Sequence, residues 1–155
     1  MKVIKAPKPL NVNGMSVFLA GSIEMGIAEN WQEKVVRLLD GYNITILNPR
    51  RDDWDSTWVQ SMDNPQFREQ VEWELKAQEM ADVIAMYFDI NTKSPITLLE
   101  LGLFVRSGVM IVCCPDGFWR KGNVDMVCNK YGTLQVPTIY DMIDEIILKI
   151  KEYGY

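Results

Sequence analysis

Four short apolar runs decide what this chain can fold into: Ser16–Ala20, Ile44–Leu47, Val83–Phe88 and Val109–Cys114. These runs are nearly continuous, so each needs cover on both faces, the condition of a strand inside a parallel sheet. Between the runs the apolar spacing turns helical. Trp31, Val35, Leu38 and Leu39 share one side of a helix that runs to about Asp40 and stops at Gly41-Tyr42. A second helix covers about Gln66 to Met80, with Val71 and Leu75 turned inward. A third starts at Ser94-Pro95, a hydroxyl cap before a residue suited to the first helical position, and Gly108 ends it. A short extended piece at Gln135–Thr138 precedes a last helix striped by Met142, Ile143, Ile146, Ile147 and Ile150. Strand and helix alternate to the end, which predicts an α/β fold: a parallel sheet of about five strands, helices on both faces, right-handed crossovers. Residues 1–15, broken by Pro7, Pro9 and Gly14, read as an N-terminal arm. Residues 53–65 read as a long loop carrying Trp54 and Trp58, and residues 115–132 as a second irregular region. A length of 155 residues suits one domain, spanning 1–155.

Ligands of such sheets bind beyond the carboxyl ends of the strands, near the switch in strand order. Here those ends are Gly21–Gly26, Asn48–Asp52, Asp89–Ser94 and Pro115–Asn123. The third delivers the chain to Pro95–Val105, a helix so apolar that it should be buried on most sides. One charge interrupts it, Glu100. Carboxylates are rarely buried without a partner or a task, and this one starts the second turn, where it can look into the cleft. Turning to solvent or pairing with a surface cation is the alternative.

Composition narrows the chemistry. There are no histidines, which excludes a histidine base, Ser-His and Cys-His nucleophile pairs, and histidine-ligated zinc. An enzyme of this composition without a cofactor must use carboxylates for attack and proton transfer. Neither a metal nor a cofactor is expected. The formal charge of −5, with short and scattered basic groups, argues against a nucleic-acid polymer as partner. No membrane is expected either: no run approaches the ~18 apolar residues of a span, and the first residues lack the apolar core of a secretion signal. Three cysteines without a CxxC read as reduced thiols of a cytoplasmic protein, Cys113-Cys114 closing a buried strand.

On the third helix Ile96, Thr97, Leu103 and Phe104 share the side of Glu100, a setting that suits a nucleophile or an acid. The second helix offers Glu69, Glu72, Glu74 and Glu79. Glu72 and Glu74 point in different directions, and Glu74 is preferred because it lies beside the Val71 and Leu75 stripe. Asp82 begins its strand, at the end of the sheet away from a ligand, and reads as structural.

Five segments in order, Phe18-Leu19-Ala20-Gly21-Ser22-Ile23, Asn48-Pro49-Arg50-Arg51, Trp73-Glu74, Ala81-Asp82-Val83-Ile84 and Ser94-Pro95-Ile96 with Leu99-Glu100-Leu101-Gly102, resemble the nucleoside 2-deoxyribosyltransferase-like family. The likeness runs from about Val17 to Asn123. It implies a flavodoxin-like fold and transfer of 2-deoxyribose between nucleobases. Glu100 then matches the nucleophile that attacks C1′ of a 2′-deoxyribonucleoside, and Glu74 matches the acid that helps protonate the departing base. Asn123 matches an asparagine that reaches the sugar 5′-hydroxyl from a neighbouring subunit, so the resemblance implies a homo-oligomer with shared sites. Gly21, Ser22, Asn48, Arg50, Asp52 and Ser94 complete the substrate-binding candidates. Partners would be a small deoxynucleoside or deoxynucleotide and a free nucleobase.

The chain also departs from the transferases. Ser94 stands where they carry an aspartate, and with Gly21-Ser22-Ile23 it resembles the related 2′-deoxynucleoside 5′-monophosphate N-glycosidases, whose serines bind the phosphate. Those enzymes have an arginine where this chain has Glu24, a carboxylate that should repel phosphate, with Arg50, Arg51 or Arg120 as possible compensation. Val17 stands where the transferases have an active-site tyrosine. Three functions follow as expectations: the transferase, the nucleotide hydrolase, and a nucleotide binder without turnover.

Overall fold

The computed structural model describes residues 1–23 and 28–154. In chain order its elements are β1 (Lys2–Lys5), β2 (Ser16–Gly21), α1 (Trp31–Leu38), β3 (Thr45–Asn48), α2 (Pro65–Met80), β4 (Val83–Tyr87), α3 (Pro95–Phe104), β5 (Met110–Cys113), α4 (Lys121–Tyr131), β6 (Leu134–Val136) and α5 (Ile139–Glu152). The strands form one parallel sheet in the order β1-β3-β2-β4-β5-β6. This is the expected α/β, flavodoxin-like arrangement, with six strands rather than about five.

Strand periodicity sorts the apolar residues into two cores. Phe18, Ala20, Leu47, Ile84, Met86 and Val112 face Trp73 and Ala77 of α2, Leu101 of α3, and Val124 and Cys128 of α4. Val17, Leu19, Ile46, Val83, Ala85 and Ile111 face Trp31 and Val35 of α1 and Met142, Ile143, Ile146 and Ile150 of α5. Helices therefore cover both faces, which is why the strand sequences lack a polar side.

Two stretches differ from their sequence reading. The arm of residues 1–15 contains β1, which pairs with β3 at the sheet edge, Lys2 opposite Thr45 through Lys5 opposite Asn48. The prolines and glycine lie after this strand, so they bend the chain back without preventing the pairing. Trp73 Nε1 then donates to Lys8 O at 2.7 Å, fixing the arm to α2. The region from Pro115 to Gly132 is not irregular throughout: it holds α4, whose buried Val124 and Cys128 stand four apart. Lys121 and Asp125 form an i,i+4 ion pair on it, and Gly132 ends it at φ 67°.

The chain leaves β2 through α1 to reach β3, then crosses back over β2 through α2 to reach β4. The strand order therefore reverses between β2 and β4. At their amino ends Asp82 Oδ2 accepts from Ser16 N and Oγ, both at 2.8 Å, a structural tie as read from the sequence. The carboxyl ends open at the opposite edge, where the two crossovers diverge.

Candidate active site

β2 ends on Gly21 at φ 145°, a position that only glycine fits: a Cβ would lie 2.2 Å from Tyr87 O of β4. This close approach lets Ser22 N donate to Tyr87 O at 3.0 Å and carries Ser22 to the switch point. There Ser22 Oγ accepts from Asp89 N at 2.9 Å and from Thr92 Oγ1 at 3.1 Å, and it meets Ser94 Oγ in a short hydrogen bond. Thr92 Oγ1 lies 2.7 Å from Ser94 Oγ. The three hydroxyls are buried together. Asp89 faces away from them, accepting from Glu29 N and Asn91 N.

Ser94 makes no side-chain cap to α3, contrary to the sequence reading. It adopts φ 47°, a left-handed conformation uncommon outside glycine, which turns its hydroxyl to Ser22 and Thr92 instead of the helix amides. Nor is α3 covered on most sides: Ile96 and Leu99 are each 59% exposed and Leu103 is 56% exposed. Its buried side is Thr97, Glu100 and Leu101.

Glu100 is thus 9% exposed, on a helix whose Leu99 and Leu103 face outward. It accepts from Gln78 Nε2 of α2 at 2.9 Å. Four residues before Gln78, Glu74 Oε1 accepts from Gln70 Nε2 at 2.7 Å, and that same amide donates to Pro49 O at 2.8 Å. Gln70, Glu74 and Gln78 therefore make one stripe of α2 at i, i+4 and i+8, joining the end of β3 to Glu100. The expected inward stripe of Val71 and Leu75 is wrong, because Trp73 and Ala77 hold that place and Leu75 is 37% exposed. Glu72 is exposed beside Arg68. Glu74 is half-buried next to Trp73.

Burial raises both acids. Glu74 is pushed up to about 7 by desolvation, against the pull of the Gln70 hydrogen bond. Glu100 is pushed up to about 8, first by desolvation and then by the charge of Glu74, against the Gln78 hydrogen bond. No lysine or arginine bonds to either carboxyl among the described residues. Both shifts favour the protonated forms, so the two acids keep their protons to higher pH than exposed carboxyls do.

The other candidates scatter around this centre. Asn48 is buried at the end of β3, its Oδ1 accepting from Arg50 N at 2.9 Å. Arg50 Nη1 donates to Gln32 Oε1 of α1 at 3.3 Å. Arg51 is spent on Asp53 and Glu69. Asp52 points outward and pairs with Lys5 at 2.6 Å. Asn123 is exposed in the first turn of α4, with no side-chain hydrogen bond to the rest among the described residues. Glu24 lies outside the described residues. Val17 packs into the α1 and α5 core, whereas the β2 side chain on the α3 face is Phe18. Two surface hollows, of about 320 and 310 Å³, are lined by neither glutamate. Sequence reading missed Gln70, Gln78, Gln32 and Thr92. The only signal for the first two is their four-residue spacing around Glu74.

The family model described as nucleoside 2-deoxyribosyltransferase like matches residues 14–118. The chain belongs to the nucleoside 2-deoxyribosyltransferase-like family. In this nucleoside 2-deoxyribosyltransferase-like chain the match takes in Ser22, Asn48, Glu74, Ser94 and Glu100 and stops before Asn123. No curated protein matches it. Membership makes it a nucleoside-processing type of protein, with small nucleoside-type ligands. Among the described residues no helix is long and apolar enough to cross a membrane.

Proposed function

We propose that this protein transfers 2-deoxyribose between nucleobases through a covalent glycosyl-enzyme on Glu100. The observation that carries the reading is the pair of acids, buried Glu100 and half-buried Glu74, each bonded to a side-chain amide of α2 and, among the described residues, neither to a cation. In the first half-reaction the Glu100 carboxylate attacks C1′ as the C1′–N bond breaks. The bond's electrons leave with the base, which takes a proton from Glu74. In the second, an incoming base gives its proton to Glu74, attacks C1′ and displaces Glu100. Two inversions retain configuration, as in retaining glycosidases. The scheme needs no metal and no cofactor. Gly21, Ser22, Asn48, Arg50 and Ser94 are assigned to substrate; Asp52, outward on its ion pair, is the weakest of the set. Asn123 is assigned to a neighbouring protomer's site in a cytoplasmic homo-oligomer.

Incubation of a deoxynucleoside with a different free base should yield the new deoxynucleoside by chromatography. Glu100→Ala should lower this by about 10³-fold or more, and a 2′-fluoro nucleoside should leave a sugar adduct on Glu100 by mass spectrometry. Full activity in Glu100→Ala refutes the mechanism.

A second reading, hydrolysis of 2′-deoxynucleoside 5′-monophosphates, is favoured by the buried hydroxyls of Ser22, Thr92 and Ser94, donors suited to a phosphate. Matched substrates with and without the 5′-phosphate separate the two, and indifference to the phosphate removes the second. Tight binding of either substrate with no product would instead leave a nucleotide binder.

A further inference from the structure

Gln78 is buried, at 2% exposure, and nothing in its sequence context marks it. Its Nε2 serves two acceptors, Glu100 Oε1 at 2.9 Å and the main-chain Glu74 O at 3.4 Å. A carbonyl can only accept, so the amide must present its nitrogen to this side. Its Oε1 is left buried without a hydrogen-bond partner among the described residues. An interior acceptor without a partner weakens a fold, and an apolar side chain of the same length would avoid the loss. The arrangement is therefore poor for stability alone, and the one thing it achieves is an N–H aimed at the Glu100 carboxylate.

We propose that Gln78 is the positioning residue of the nucleophile: its amide N–H orients the Glu100 carboxylate and favours its ionised form over what burial alone would allow. This rests on the reading of Glu100 as nucleophile and Glu74 as acid. Ionisation matters because the scheme works only with Glu100 as the anion, while burial and the charge of Glu74 both drive Glu100 toward the neutral acid. Among the described residues, Gln78 is the group that donates to the Glu100 carboxyl, and so it is the counterweight. α2 presents Glu74, an acid; the sheet beneath α3 presents Phe18, Ala20, Ile84 and Met86, all apolar. At the switch point the hydroxyls of Ser22, Thr92 and Ser94 bond to one another, and the Asp89 carboxylate to the main chain of residues 29 and 91. A hydrogen bond donated to a buried carboxylate is among the stronger kinds, and it acts on the charged state alone.

The test compares the full chain with Gln78→Met, which keeps the length and removes the donor. Single-turnover release of free base should slow by about 10- to 100-fold in kcat with KM little changed. The acid limb of its pH profile should move up by about one unit, because Glu100 now keeps its proton to higher pH. The unfolding midpoint of Gln78→Met at pH 6 should be no lower than that of the native chain, which separates this role from simple packing. Independently of turnover, the carboxyl-carbon NMR titration of Glu100 should move up in Gln78→Met. If the native chain transfers no sugar, the transferase reading fails, while this titration still decides the role of Gln78. A folded Gln78→Met with unchanged titration and an unshifted acid limb overturns the proposal. Where Gln78→Met fails to fold, Gln78→Leu serves: it too lacks the donor, so the carboxyl-carbon titration of Glu100 should move up in it, and an unchanged titration overturns the proposal equally.

Discussion

An interior carboxyl that burial pushes up works against the fold that contains it. Glu100 in the folded chain is raised to about 8, above the ordinary carboxylate range that it recovers on unfolding. Between those limits the folded state holds a proton that the unfolded state has released, so stability falls as pH rises across the interval. Glu100→Gln removes the ionisation and keeps the shape. It is expected to be more stable than the native chain at pH 8 by on the order of 2 kcal/mol and to show little difference at pH 4.5, with sugar transfer lost. Urea unfolding at the two pH values measures this, and an unchanged pH slope would refute it. Gly21 gives the opposite case. Alanine there must displace the Tyr87 carbonyl while holding a positive φ, so Gly21→Ala should cost about 3 kcal/mol and part β2 from β4 where Ser22 is held. A urea midpoint equal to that of the native chain would show that the strands do not need this close approach. Glu100 was visible in the sequence because it is the one charge in an apolar helix. Gln78 was not, because a glutamine among Glu, Lys and Gln residues reads as solvated, and only the neighbouring helix shows that it is inside.

Elements whose burial imposes a regular apolar pattern were legible. β2, β4 and β5 were found from their continuous apolar runs, and α5 from its isoleucine stripe, because burial on the sheet dictates those patterns directly. β1 was missed because an edge strand of four residues with only Ile4 buried carries almost no pattern. α4 was missed because one helical stripe of Val124 and Cys128, following Gly117 and Gly122, is too sparse a signal against turn residues. α2 was found with its faces misassigned: Trp73 and Ala77 take the core, which rotates Glu74 and the two glutamines inward and Leu75 outward. The start of α5 shows how strongly a local rule can act. Thr138 and Asp141 form a reciprocal capping box, Thr138 Oγ1 accepting from Asp141 N at 3.2 Å and Asp141 Oδ2 from Thr138 N at 3.1 Å. Thr138→Ala should lower stability by about 1 kcal/mol and leave sugar transfer unchanged, since α5 lies on the sheet face opposite Glu100. A fall in kcat without a fall in the unfolding midpoint would contradict that separation of faces.

At the scale of the whole molecule, the exposed side of α3 has the composition of an interior. Ile96, Leu99 and Leu103 follow one another at i, i+3 and i+7, each more than half exposed, on the helix that carries Glu100. On α4, next to α3 on the same sheet face, Met126 is 69% exposed and Asn123 lies on the surface. Contiguous aliphatic surface of this kind is more often covered than solvated. In the proposed homo-oligomer a second copy covers it and brings its Asn123 to the first copy's sugar. Sedimentation should therefore find a species larger than the monomer, and Leu99→Lys should dissociate it, because a buried lysine without a partner is strongly disfavoured. Sugar transfer should fall with dissociation even though Glu100, Glu74 and Gln78 are untouched. Complementation makes the test decisive. Glu100→Ala and Asn123→Ala subunits, each inactive or impaired alone, should regain activity when refolded together, because a mixed interface rebuilds some sites from an intact glutamate and an intact asparagine. A fully active monomer, or mixed subunits no better than the sum of their parts, would place the whole reaction within a single chain.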